Sequence, residues 1–374
     1  MLHRIERLKN LGKTKNIDAF LLTSPSTIKC LSGYFYNFEI GPSPFQILPS
    51  ALVFVPEEIA VLIIADNESL ATPVKGIGIL LKPYSSYVHE KPLDYTNQFI
   101  IKLQEVLIQN KITDVRIGIE GNSLPYVVAQ FLRLNYPNIK LIDVSEGIIK
   151  IKTIKDIDET DNIRQAAKLC DIGQAAVMKH ARPGISELEL FNLVRLEIEA
   201  SVGTRVPLMA DLVSGAGTAS GGGIPSNRVI QNGDPVLCDL TPCLNGYWGD
   251  SCNTFVVGQS SSVQRKSFAL VKEALNIAIN SIQPGVKAME IDRLMRRHIG
   301  NFPHHGGHGV GTLYHEEPRI VSYNNMILEP DMVIALEPGI YEKEYGIRLE
   351  HLVLVTETGC ELLTKFQHCL IQLT

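Results

Sequence analysis

Two aspartates lie inside a stretch that reads as a single β-hairpin, and that placement constrains the chain more than any other feature. Residues 234–257 run Asp-Pro-Val-Leu-Cys-Asp-Leu-Thr-Pro-Cys-Leu-Asn-Gly-Tyr-Trp-Gly-Asp-Ser-Cys-Asn-Thr-Phe-Val-Val. Asn-Gly between apolar runs is the strongest short hairpin signal, because both residues accept positive φ. With Asn245 and Gly246 as a two-residue loop, Asp239 falls opposite Cys252. Asp250 is two residues from Cys252, so it projects from the same face and is a diagonal neighbour of Asp239. Two carboxylates sharing an apolar face repel each other and are costly to desolvate. The pair therefore asks for a cation.

A second group of unusual residues lies downstream. Residues 303–311 set three His among four Gly. Glycine lets backbone approach a ligand closely, and imidazole is a good ligand for borderline divalent ions. Taken alone, such a loop is equally a flexible surface turn. Glu337 and Glu350 each interrupt an otherwise apolar strand-like run, at 333–341 and 346–355. Glutamate is rarely buried without a partner. Asp239, Asp250, His308, Glu337 and Glu350 together make a coherent oxygen-rich ligand set. Two bridging carboxylates can hold two divalent ions about 3.5–4 Å apart, the geometry of two-metal hydrolysis.

The rest of the 374 residues supplies the frame, and this length suggests two domains. Residues 1–151 alternate strand-like runs (18–23, 51–55, 60–65, 116–120, 140–143) with helical ones (2–11, 99–109, 125–134), the texture of an α/β layer. No catalytic constellation is found there. The Tyr-, Phe- and Pro-rich segment 33–49 reads as a loop packed on the sheet, with a flap that shapes a pocket as the alternative, and the lysines of 150–155 read as a solvated linker. Helices are expected over 156–180, from Ser186 to about residue 201, over 262–281 and over 290–299, with strands between and after. Lys and Arg number 35 against 40 Asp and Glu, so no basic excess exists for nucleic acid or a membrane surface. Seven scattered cysteines without a C-x-x-C spacing indicate neither a disulfide framework nor a thiolate zinc site. The first residues mix acid and base unlike a signal peptide, and no apolar run is long enough to span a bilayer. A cytoplasmic location is the expectation.

The order Asp239, Asp250, His308, Glu337, Glu350 resembles the M24 metallopeptidases of the pita-bread fold. That family includes methionine aminopeptidase, proline aminopeptidase, prolidase and the metal-free creatinase. The phrases Gly-His-Gly-Val-Gly (307–311), His-Glu-Glu-Pro (315–318), Glu-Pro-Gly-Ile-Tyr (337–341) and Gly-Ile-Arg-Leu-Glu (346–350) carry the resemblance. It covers the chain from about residue 152. The first half resembles the creatinase/prolidase N-terminal domain, which points to the proline-peptidase branch. The resemblance implies an α/β N-terminal domain over 1–151 and an α+β pita-bread catalytic domain over 152–374. It also implies two divalent metal ions, Mn, Co, Zn or Fe. Asp239 would chelate one, His308 and Glu337 the other, and Asp250 and Glu350 would bridge. A hydroxide between the ions would attack an Xaa-Pro amide, and Glu337 would pass the proton to the leaving nitrogen. His315 would hydrogen-bond the carbonyl oxygen, His304 would sit in the substrate pocket, and Arg348 would orient a ligand carboxylate. The implied partners are a short peptide or small amide substrate and a second copy of the chain, with no nucleic acid or membrane.

Other nearby residues are read as structural. His305 and His351 are taken as satisfied polar residues, Cys238, Cys243 and Cys252 as small packing residues, and Tyr247 and Trp248 as core or rim aromatics. Two positions depart from the proline peptidases. Gly222 stands where they usually carry His, and Asn253 where they usually carry Arg. Both point to an altered pocket, and they motivate a second reading as a hydrolase of a small non-peptide C–N bond. A non-catalytic binding module is a third, against which the complete ligand set speaks.

Overall fold

The computed structural model describes residues 3–35, 49–69, 78–370 and 372–373. Most of the aromatic-rich segment expected to pack as a loop, 36–48, lies outside the described residues. The chain forms two compact units, Met1–Lys152 and Thr153–Thr374.

The first unit is built on β1 (Ala19–Leu22), β2 (Ala51–Val55), β3 (Ile59–Ala65), β4 (Ile79–Tyr84), β5 (Arg116–Ile119) and β6 (Lys140–Asp143). They form one six-stranded sheet in the order β4-β3-β2-β1-β5-β6. Its helices are α1 (His3–Lys15), α2 (Pro25–Ser32), α3 (Asp66–Ser69), α4 (Tyr95–Gln109), α5 (Tyr126–Asn135) and α6 (Ser145–Thr153). Every residue of β1 is buried because both faces are covered. Ala19 and Leu21 pack with Phe99 and Leu103 of α4, whereas Phe20 and Leu22 pack with Ile5 and Leu8 of α1. This is the period-two alternation of a strand between two helical layers.

The second unit begins with α7 (Ile157–His180) and α8 (Glu187–Val202), followed by β7 (Leu208–Ser214), β8 (Pro235–Leu244), β9 (Tyr247–Trp248) and β10 (Ser251–Val257). A second pair, α9 (Ser262–Ser281) and α10 (Ala288–Ile299), precedes β11 (Gly307–Gly309), β12 (Glu316–Ile320), β13 (Val333–Leu336), β14 (Gly339–Tyr341), β15 (Gly346–Arg348), β16 (His351–Val355), β17 (Cys360–Leu362) and β18 (Gln372–Leu373). One sheet runs β18-β10-β8-β7 with β9 added to β8; another runs β12-β11-β13-β16-β17; β14 and β15 pair alone. Capping boxes start α8 and α9, where Ser186 with Glu189 and Ser261 with Gln264 satisfy otherwise unpaired amides.

The expectation of a solvated linker at 150–155 is corrected. Helix α6 runs through Thr153, and Lys155 is buried against Glu316, its ammonium 3.1 Å from the carboxylate. Alternating lysines look like a solvent-facing run. The partner that makes Lys155 internal comes from a strand 161 residues away, outside any local pattern.

Candidate metal centre

The hairpin forms with the register that a two-residue turn dictates. Asn245 and Gly246 take φ of 53° and 76°, and Cys252 pairs with Asp239. Asp250 lies between β9 and β10, beside Thr241, whose hydroxyl donates to its carboxylate at 3.2 Å. Strand β15 docks on this hairpin through Thr254. The Thr254 hydroxyl accepts from the Arg348 amide at 3.1 Å and donates to the Arg348 carbonyl at 3.0 Å. Two residues on, the Glu350 amide donates to the Cys252 carbonyl at 2.9 Å, which turns Glu350 toward the same face.

The remaining ligand candidates come from the other five-stranded sheet. His308 on β11 pairs with Ala335 on β13, and the Glu337 amide just past β13 donates to the Gly306 carbonyl. Gly309 is needed here, since a Cβ at that position would run into the Glu317 carbonyl. The His308 Nδ1 faces the Gly309 carbonyl at 3.1 Å, which leaves Nε2 aimed inward. That nitrogen lies 3.6 Å from Asp250 Oδ2 and 3.5 Å from Glu337 Oε1. Ligand atoms of Asp250, His308 and Glu350 all lie within 4.8 Å of one another. Asp239 joins the group on the hairpin side, held by Arg348, whose Nη2 donates to Asp239 Oδ2 at 2.5 Å.

The electrostatics are those of a cage built around positive charge. Burial, reinforced by mutual repulsion, pushes the carboxyls of Asp250 and Glu350 well above the usual range. Asp239 is raised to about 6 by burial, against the pull of Arg348. Burial also pushes Glu337 upward, but His305, His308 and Arg348 outweigh it and hold that carboxyl at about 2. Burial lowers His308 to about 4, so its imidazole is neutral at pH 7. Burial lowers His304 and His315 as well.

The other expected residues sit around this group. The His315 ring is 4.2 Å from that of His308. His304 is tied at both nitrogens, with Nδ1 at 2.7 Å from the His305 carbonyl and Nε2 at 2.7 Å from the Tyr341 hydroxyl. Two residues that sequence reasoning set aside or passed over are also here. His305 Nε2 is 2.9 Å from Glu337 Oε1. Its only sequence signal is the His-His doublet three residues before His308. Asp211 on β7 pairs in register with Asp239 and lies 3.5 Å from Arg348 Nη2. Nothing local marks it, because a lone Asp on a strand is ordinary.

Asp211 also accounts for Gly222. A Cβ built at Gly222 would collide with the Asp211 carboxylate. Arg348 completes the link by donating through Nη1 to the neighbouring Gly221 carbonyl. Asn253 behaves differently. It pairs with Cys238, so strand alternation puts it on the face opposite Asp239. The expectation that Asn253 alters the pocket wall is corrected: its side chain is buried on the far side of the sheet, with neither polar atom hydrogen-bonded among the described residues.

Comparison with known proteins decides the family. The model of metallopeptidase family M24 matches residues 161–357, and that of the creatinase/prolidase N-terminal domain matches 4–154. The chain belongs to metallopeptidase family M24. This M24 chain is 35% identical to an uncharacterized peptidase of Staphylococcus epidermidis, over 97% of this chain and 99% of that one. It is 29% identical to a Xaa-Pro dipeptidase of Pyrococcus furiosus, over 99% and 100%. The fold superposes on a Xaa-Pro dipeptidase from Bacillus anthracis with a TM-score of 0.82, at 26% identity and 99% coverage of each chain. For the prolidase from Pyrococcus horikoshii OT3 the TM-score is 0.80, at 26% identity, over 99% and 100%.

M24 membership implies divalent metal binding, and the donor set in this chain suits it. Among the described residues, Asp239 Oδ1, Glu337 Oε1 and Glu350 Oε2 are buried acceptors without a hydrogen-bond partner. Buried acceptors are normally satisfied, and a cation is the partner this cluster lacks. No helix among the described residues is long and apolar enough to cross a membrane.

Proposed function

We propose that this M24 chain hydrolyses the Xaa-Pro bond at the N-terminus of short peptides, as a dipeptidase or aminopeptidase. One observation carries the reading: four carboxylates and one imidazole, far apart in the chain, meet around buried acceptors that lack partners among the described residues. The Xaa-Pro dipeptidases among its relatives supply the substrate class. Asp239, Asp250, His308, Glu337 and Glu350 would hold two divalent cations from among Mn, Co, Zn and Fe. Bound there, such cations supply Lewis-acid polarisation of the scissile carbonyl and acidification of an attacking water.

The chain's own residues do the remainder. Glu337 carries a proton toward the leaving nitrogen. His315, beside His308, donates to the carbonyl oxygen as negative charge develops there. His304, fixed by Tyr341, lines the substrate pocket. Arg348 holds Asp239 in place through its guanidinium. A cytoplasmic location and a homodimer belong to the same proposal.

A second reading, a hydrolase of small non-peptide amides, is favoured by one feature: an acid at Asp211 and a glycine at 222 border the cage. Metal content measured alongside turnover tests both. The peptide reading expects about two equivalents of metal, with hydrolysis of Gly-Pro or of a longer Xaa-Pro peptide. Metal-loaded protein that cleaves neither peptide but turns over small amides would replace it with the second.

A further inference from the structure

We propose that His305 is a metal ligand, so that one end of the cage presents two imidazole nitrogens, from His305 and His308, on either side of Glu337. The inference rests on the cage proposed above and goes beyond its five residues. His305 Nε2 approaches Glu337 Oε1 to 2.9 Å, and among the described residues that buried oxygen is otherwise without a hydrogen-bond partner. The same oxygen is 3.5 Å from His308 Nε2. Donors sharing one ion at bond lengths of about 2.0–2.2 Å, set at right to tetrahedral angles, stand about 2.8–3.6 Å apart. Both separations fall in that interval.

The ring geometry agrees. The His305 and His308 rings are nearly perpendicular, at 86°, with centroids 5.2 Å apart, so both can face one point without collision. Nitrogens of His305, His308 and His315 lie within 4.8 Å of one another. His304, the other half of the doublet, has both nitrogens engaged and is not available. His308 has the further support common to metal-bound histidine, its second nitrogen facing a backbone carbonyl. In the proposal His315 stays free for substrate.

The chemical consequence is selectivity. Carboxylate-rich sites suit Mn and Mg, whereas imidazole favours Zn, Fe, Co and Ni. A second imidazole at one of two positions biases that position toward the latter group.

The test uses the full chain, stripped of metal and titrated separately with Zn(II) and Mn(II), as wild type, His305→Ala and His305→Gln. The glutamine variant keeps hydrogen-bonding capacity toward Glu337 without an imidazole. Both variants are expected to lose about tenfold or more in Zn affinity at one of two equivalents, with Mn affinity changed by less than about threefold. In the Co(II)-loaded protein, paramagnetically shifted imidazole N–H resonances should fall by one in either variant. Wild-type Zn affinity in His305→Gln, equal losses for Zn and Mn, or an unchanged resonance count would overturn the proposal while leaving the five-residue cage intact. A wild-type chain that takes up neither metal would overturn the cage and His305 with it.

Discussion

Asp239 and Asp250 are aimed by local structure, whereas the histidines are aimed by distant structure. The aspartates ride on paired strands whose register follows from the Asn245-Gly246 turn, so period-two alternation alone puts them on one face. His304, His305 and His308 lie in a glycine-rich run of which only residues 307–309 form strand, paired with β12 and β13. The contrast shows that a ligand on a hairpin has its direction written within a dozen neighbours. A ligand in a glycine-rich loop receives its direction from strands that close over it.

The sharpest way to break the comparison is to neutralise one acid from each side. Asp250→Asn or Glu350→Gln should lower kcat/KM by about a thousandfold or more and reduce bound metal, read by elemental analysis. In chelator the same variants should melt above the wild type, because each removes one of two repelling buried carboxylates.

A pH titration of the stripped chain probes the same repulsion. Asp239, Asp250 and Glu350 have carboxyls raised above their unfolded values, so the native state holds protons that the unfolded chain releases. Their contribution to stability should therefore fall as pH rises from about 4 through 6 and above, read as the difference between wild type and Glu350→Gln because His308, lowered to about 4, acts in the opposite sense over part of that range, and bound metal should abolish the difference. A pH-independent difference between wild type and Glu350→Gln in chelator would mean the carboxylates do not share a desolvated face.

Gly309→Ala tests the loop side without touching a ligand. The added methyl meets the Glu317 carbonyl, and a cost of about 1–3 kcal/mol in denaturant unfolding is expected, with weakened metal binding. The smallest effect belongs to the hairpin turn. Asn245→Ala places a less tolerant residue at φ 53° and should cost about 1 kcal/mol, with activity changed by less than about threefold. If it disturbed metal binding more than Gly309→Ala, the contrast between the two sides would be reversed.

What could be read in advance follows the same division. The α/β texture of the first half, the long helices and the hairpin register all rest on periodicity and turn chemistry, which act within a few residues. Lys155, His305 and Asp211 were not legible, for a common reason. Each is given its meaning by a partner from another element: Glu316 for Lys155, Glu337 for His305, and Arg348 with Gly222 for Asp211. Asn253 is tied to the pocket by comparison with the proline peptidases, whereas strand alternation in the hairpin assigns it to the far face.

Asp211 and Gly222 claim one volume. A side chain introduced at 222 must displace the Asp211 carboxylate, and removal of the acid alone leaves Arg348 with Asp239 as its remaining carboxylate partner. The two positions are therefore coupled, and the effect of a residue at 222 depends on what stands at 211. Variants that change the two positions together reach side-chain pairings at this wall that libraries changing one codon at a time will miss.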